Sequence, residues 1–268
     1  MLPREELLKG CRQPRELAHL IDLAEEALRT WEPVWSGFVP ADLREDAEQR
    51  LGQLSELSLS SWGGWPQAER RGLLLQRAEL AAGDSDTAPL TTSLTAPLTG
   101  LVVSGNFLFD PAEPDDVRRG LLAAGAAADD LGDIWMRGDR GAQLVLRSAA
   151  AATLAGRTTL VRTVEVHLEP VPIELLQLPA SRSPRELSSV EASLRLDAVA
   201  SAGFGLSRNR MAELIRSGAV RVNWQGVTSP SRELASGDRV RLEGRGELEV
   251  VEIQPTKRDR WRVRLLRR

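Results

Sequence analysis

The sequence has a single cysteine, no tyrosine and only two histidines. Cys11 stands alone, so no disulfide can close within the chain, and a stapled secreted scaffold is excluded. His19 and His167 lie far apart in sequence, so no Cys/His zinc site can be assembled and no metal is expected. Nothing in the spacing pairs Cys11 with either histidine for nucleophilic catalysis. Long apolar runs are also missing, and none approaches the ~20 residues of a membrane span. The most apolar-looking stretch, Leu121 to Leu131, is mostly alanine, broken by glycine and aspartates. The opening MLPREELLKG has no apolar core after its charges, so no signal peptide, no membrane insertion and a cytoplasmic location are expected. Lysine is nearly absent too, with Lys9 and Lys257 the only two.

What is present describes a globular protein. The 268 residues are 42% hydrophobic and 27% charged, enough for two or three domains. The net charge of −3 hides an asymmetry. Residues 1–186 carry 19 basic and 28 acidic side chains, a balance of −9, whereas residues 187–268 carry 16 and 10, a balance of +6. A basic third on an acidic body is the pattern of an appended polyanion-binding module. Arginine suits bidentate phosphate contacts, although a GC-rich genome produces the same bias.

Residues 1–56 read as a helical N-terminal region. Leu17, Leu20, Ile21, Ala24 and Leu28 recur at helical spacing on one face. WEPVWSGFVP, residues 31–40, holds two prolines and a glycine and reads as a break before a second helix from Asp42 to Leu51. Residues 57–80 read as strands around a Gly63-Gly64 turn, and Ala81–Ala96 reads as a linker. Leu98–Phe109, Ile134–Met136, Ala142–Leu146 and Val161–Leu168 read as strands around a helix at Asp115–Ala128, an α/β sandwich pattern. Phe107 and Phe109 share a strand face in this reading and are expected in the core. A Pro-rich loop, Pro170–Pro184, precedes the basic module.

In that module Ser207 is placed to cap the run RNRMAELIRS, and Gly218 to stop it. Met211, Ala212, Leu214 and Ile215 form one apolar arc, with Arg208 and Arg210 flanking it and Arg216 opposite. The helix start presents free amides and a positive dipole end, which favours phosphate. Val220 and Val222 point inward, leaving Arg221 and Asn223 outward. Two tail strands are expected around PTKRD; in the second, Arg260, Arg262 and Arg264 alternate with Trp261, Val263 and Leu265. That arginine stripe either extends an RNA surface or guards an edge strand.

The segment from Arg195 to Leu242 resembles an S4 RNA-binding domain, matching at Arg195-Leu196-Asp197, Ser207-Arg208, Ala212, Leu214-Ile215, Gly218, Val220, Val222-Asn223, Leu234 and Gly237-Asp238. Upstream, Gly63-Gly64-Trp65 with Ala68-Glu69-Arg70, Gly105 to Asp110, Gly132-Asp133-Ile134 and Gly138 to Gln143 extend the likeness. The whole is similar to the photosystem II S4 domain proteins of cyanobacteria and plastids, relatives of the bacterial cell-division-locus S4 proteins. The resemblance implies an α+β chain. It would have a helical N-terminal part (1–56), an RRM-like (ferredoxin-like) α/β sandwich middle domain with its preceding strands (57–180), an αα-β S4 domain (187–254) and a basic C-terminal strand (255–268). Trp65 replaces a usual tyrosine, and Trp224 replaces a usual glycine, making the hairpin tip bulkier.

The resemblance implies a monomer that binds structured RNA, ribosomal RNA or ribosome-bound transfer RNA. The residues expected to carry this are Arg195, Ser207, Arg208, Arg210, Arg216, Arg221, Asn223 and Trp224, with Asp197 as a structural partner for an arginine. Trp224 either stacks on a base or packs over its hairpin. No catalytic residue and no cofactor is expected. The only RLD lies in the S4 helix, with no synthase domain after it, and AAGAAADDLGD lacks the glycine spacing of a nucleotide loop. A second reading makes the chain an adaptor in photosystem II assembly or expression, with a photosystem-related protein partner. A third places it on stalled ribosomal subunits.

Overall fold

The computed structural model describes residues 2–82, 98–179, 184–242, 245–257 and 259–268. It resolves two compact units, Met1–Pro179 and Ala180–Arg268. Most of the linker-like segment Ala81–Ala96 lies outside the described residues.

The first unit begins with α1 (Arg4–Leu8) and α2 (Pro14–Thr30). Proline at the start of α2 supplies the helical φ without wasting a donor, and Leu17, Leu20, Ile21, Ala24 and Ala27 form its buried stripe. Trp31 closes the helix in a left-handed conformation at φ 61°. The expected break then becomes strand β1 (Val34–Val39), followed by α3 (Ala41–Leu51), β2 (Leu57–Trp62), β3 (Arg71–Arg77) and α4 (Ala78–Ala82). β1 was hidden because its pairing with β3 is irregular between Trp35 and Phe38, where Gly37 sits at φ 77°. The three strands form a sheet in the order β1-β3-β2. The N-terminal region is therefore not purely helical, and β2 and β3, grouped above with the middle segment, pair with β1 instead.

A second, five-stranded sheet follows, built from β4 (Leu98–Ser104), β5 (Leu131–Met136), β6 (Gly141–Arg147), β7 (Thr158–Val161) and β8 (Val164–Val171) in the order β5-β6-β4-β8-β7. All its pairs are antiparallel. With α5 (Pro114–Ala123) and α6 (Ser148–Leu154), this is the split βαβ order of a ferredoxin-like sandwich with one added edge strand, β7. The single strand expected over Val161–Leu168 is a hairpin turning at Arg162, φ 55°. Leu101, Leu144, Leu146 and Leu168 meet Val117 and Leu121 of α5 and Leu154 of α6 on one face.

The opposite face is also covered. Val145 packs there with Phe38, Trp65, Ala68 and Leu176. Gly64, at φ 88°, lets the chain approach so closely that a Cβ would stand 2.7 Å from Val145. The Asp133 carboxylate accepts the backbone N–H groups of Glu69 and Arg70 at 2.7 and 2.9 Å. Arg70 in turn donates to the carbonyls of Leu131 and Phe38. The Gly-Gly-Trp, Ala-Glu-Arg and Gly-Asp-Ile signatures are thus one interlock between the two sheets. Burial, with the nearby Arg118 charge, lowers the Arg70 pKa, yet at this depth its carbonyl partners keep it satisfied.

Phe107 is buried as expected, but Phe109 is 91% exposed. The strand ends at Ser104, and the residues after it form a loop that turns Phe109 outward.

The second unit contains β9 (Arg185–Glu191), α7 (Leu196–Phe204), α8 (Arg208–Arg216), β10 (Val220–Val222), β11 (Gln225–Gly226), β12 (Arg239–Leu242), β13 (Gly246–Pro255) and β14 (Trp261–Arg267). Its sheet runs β11-β10-β12-β13-β14-β9. Leu196, Val199 and Phe204 of α7 and Met211 and Ile215 of α8 pack on Val220, Val222, Val240, Leu242, Leu248, Val250, Val263 and Leu265. One face of the sheet is therefore apolar, and the alternate residues point away from the helices. β14 is internal, paired to β13 and β9 along its length, so its arginines do not guard an edge.

Candidate nucleic-acid interface

Two groups of side chains stand out in the second unit. The first surrounds Asp197, in the first turn of α7 and 5% exposed. Arg195 Nε and Nη2 each donate to its carboxylate at 3.0 Å. Arg208 donates with Nε and Nη2 at 3.2 Å to the same two oxygens. One carboxylate thus aligns two guanidinium groups from the starts of both helices. Burial alone would raise the Asp197 pKa; the hydrogen bonds and charges of Arg195 and Arg208 outweigh it and lower it.

Ser207 caps α8 as expected, its hydroxyl oxygen accepting the Arg210 N–H at 3.3 Å. Arg210 extends over the surface and pairs with Glu213 at 3.0 Å. Arg216 is exposed in the last turn.

The second group lies on the sheet face turned away from the helices. Val222 and Gln225 are paired across a two-residue turn, with Asn223 and Trp224 at φ 50° and 68°. Positive φ at both central positions is the type I′ pattern, which suits asparagine and strains tryptophan. Asn223 does not reach outward. Its Nδ2 donates to Asp238 Oδ1 at 2.7 Å, and its Oδ1 accepts the Arg239 N–H at 2.9 Å. Asp238 also accepts the Ala235 N–H, so Asn223 and Asp238 together fasten the hairpin to β12. Trp224 is half-buried beneath two cations, with the guanidinium carbons of Arg239 and Arg241 5.3 and 5.7 Å from its ring centroid. Arg221 is exposed and directly opposite Arg241 in register.

The sequence reading therefore names residues of two kinds. Arg195, Ser207, Arg208, Arg210 and Arg216 belong to the helix pair, while Arg221, Asn223 and Trp224 belong to the sheet face. It missed Arg239 and Arg241, whose signal was present: they alternate with the buried Val240 and Leu242. Among the described residues, no group of three or more His, Cys, Asp or Glu is placed to hold a metal ion. No described helix is long and apolar enough to cross a membrane.

Two family models match separate parts of the chain. Residues 12–80 match the family model described as YlmH, N-terminal, a span that runs from α2 through β3. Residues 194–240 match the S4 domain model. The chain is 28% identical over 210 residues to the "Ribosome-associated protein quality control protein P2" of Bacillus subtilis (strain 168), covering 78% of this chain and 77% of the relative. It is also similar to the solved structure titled "Cell division protein ylmH from Streptococcus pneumoniae", at 15% identity and a TM-score of 0.45, covering 62% of this chain and 94% of that one. None of these matches carries the photosystem-specific part of the sequence resemblance. The two family models place a YlmH-type N-terminal segment ahead of a C-terminal S4 domain.

Proposed function

We propose that this protein is a non-catalytic RNA-binding protein that docks on structured RNA, ribosomal RNA or ribosome-bound transfer RNA, through its S4 domain. The observation that carries this reading is the cross-strand pair Arg221–Arg241 beside the arginine-covered Trp224. Arg221 and Arg241 repel across the strands, Glu247 lies opposite Arg241 on its other side, and a polyanion laid across the face is attracted to both arginines. The Asp197-aligned arginines at the helix starts add a second pair of bidentate donors. The name of the Bacillus subtilis relative, a ribosome-associated quality control protein, supports the ribosome as the place where the RNA is met.

The covered faces of the five-stranded sheet argue against the middle segment as a base-stacking platform. In an RRM the open sheet face carries the stacking aromatics. Here Phe38, Trp65 and Leu176 occupy that face.

The test is binding of a fluorescein-labelled RNA stem-loop, followed by anisotropy across a KCl series. R221Q/R241Q in the full chain lowers affinity and flattens the log–log salt slope by about 1.4–1.8, the contribution of two phosphate contacts. A folded double variant with the wild-type slope refutes the reading.

A further inference from the structure

The tail strands hold cations that the S4 match, ending at residue 240, does not reach. They fall into two sets. Arg264 is neutralised by Glu252 at 2.9 Å and Glu186 at 3.8 Å, and Arg268 by Glu249 at 2.9 Å. Arg267 lies over the Phe204 ring and donates to the Phe204 carbonyl. Farther along the same hairpin, Lys257, Arg260 and Arg262 are exposed, and among the described residues none has an acidic partner. Asp259, in the turn at φ 47°, is the acidic side chain of that connection and pairs with none of them.

These three cations share a place. With Val190, Gln254, Pro255 and Thr256 they line an open groove of about 700 Å³ at the turn end of β13 and β14. Gln254, Arg262 and Val190 are neighbours across β13, β14 and β9. They alternate with Ile253, Val263 and Ser189, of which Ile253 and Val263 pack on the core, so the groove opens on the sheet face turned away from the helices. That is the face that carries Arg221 and Arg241. Glu247 and Glu249 of β13 lie between the two positive areas, opposite Arg241 and Arg239. Three strand spacings separate β10 from β14, about 14 Å across the sheet, with a further ~20 Å along the strands. No single phosphate spans this distance.

We propose that the Lys257–Arg260–Arg262 groove is a second phosphodiester contact, by which the tail hairpin engages the same folded RNA that the S4 face engages. This rests on the RNA-binding reading above and extends it to residues outside the S4 match. The occupant is polyanionic by charge complementarity: three unpaired cations, a groove with polar and apolar walls, and neighbours whose own charges are already internally cancelled. Gln254 offers an amide for a sugar or phosphate oxygen, and the exposed Val190 gives a ribose an apolar wall.

The test compares four full-length chains on the fluorescein-labelled RNA stem-loop: wild type, K257Q/R260Q/R262Q, the charge-keeping K257R/R260K/R262K, and R221Q/R241Q. The glutamine triple flattens the salt slope by about 2–2.7, three contacts' worth, and weakens low-salt binding about tenfold or more, while the charge-keeping triple stays near wild type. A glutamine triple with wild-type affinity and slope, beside an impaired R221Q/R241Q, overturns the groove and leaves the S4 reading standing. So does an equal loss in both triples, which would assign the effect to shape instead of charge. A wild-type chain that fails to bind the stem-loop overturns both proposals. All five side chains altered are at the surface or half-buried, and matching thermal melts certify that each chain is folded.

Discussion

Asp197→Asn isolates the device that aligns the helix arginines. The carboxylate accepts four hydrogen bonds from Arg195 and Arg208 at 3.0–3.2 Å, and it is itself nearly inaccessible. The arginines are 39% and 52% exposed, so each pair is discounted toward the surface range. Two bidentate pairs at the upper end of that range give a loss of about 2 kcal/mol. For a unit of this size that lowers the melting transition by about 8–16 °C, read by calorimetry on the full chain. The pH dependence fixes the cause. Because the folded-state pKa is lowered, the stabilisation is fully present above the unfolded aspartate value, about pH 4, and disappears as pH falls through the lower folded value. The gap between wild type and D197N is therefore widest near neutrality and closes in acid. An unshifted transition at neutral pH, or a gap that persists in strong acid, refutes the alignment argument.

Two further outcomes probe the first unit. Asp133→Asn keeps the side-chain shape but weakens acceptance of the Glu69 and Arg70 N–H groups, and it costs the first unit about 1–2 kcal/mol in urea unfolding; no change in midpoint would mean the interlock is held by packing alone. Phe109→Ser leaves the unfolding free energy within about 0.5 kcal/mol of wild type, because the ring has no core to leave; a larger loss would show that it packs somewhere in solution.

The S4 unit was legible because its signals are local. A cap, an apolar arc and a stop all fall within one continuous stretch, from Ser207 to Gly218, although the hairpin turn itself lies at Asn223-Trp224, where the strand is expected to continue through Asn223. What escaped depends on distant partners. β1 carries a glycine-bearing irregularity that erases its alternation, and it exists as a strand only because β3 lies beside it. Whether β14 is an edge is decided by β9, which precedes both helices in the chain. Phe109 looked like a core residue because two phenylalanines two apart share a face in any strand, and only the true strand end at Ser104 removes it. The Gly-Asp-Ile signature hints at no contact by itself, since the backbone amides that Asp133 serves are 63 and 64 residues away in sequence.

Charge counting singles out the C-terminal third of the chain but not how each of its cations is partnered. Asn223, named from sequence as a contact, is consumed in fastening its hairpin, and Arg264 is consumed by two glutamates. Arg195 and Arg208 are held by Asp197, yet they remain 39% and 52% exposed, so the carboxylate orients them without hiding them. Two arginines sharing one aspartate leave a positive excess of one, pre-set in direction, and a cation already oriented loses less side-chain entropy when a phosphate arrives. The arginine excess therefore divides by partner, not by position. On the proposed RNA-binding reading, internally cancelled groups build the sheet, Asp197 presents its pair, and the cations of the outward sheet face and the tail groove, Arg221, Arg241, Lys257, Arg260 and Arg262, set how steeply binding weakens with salt.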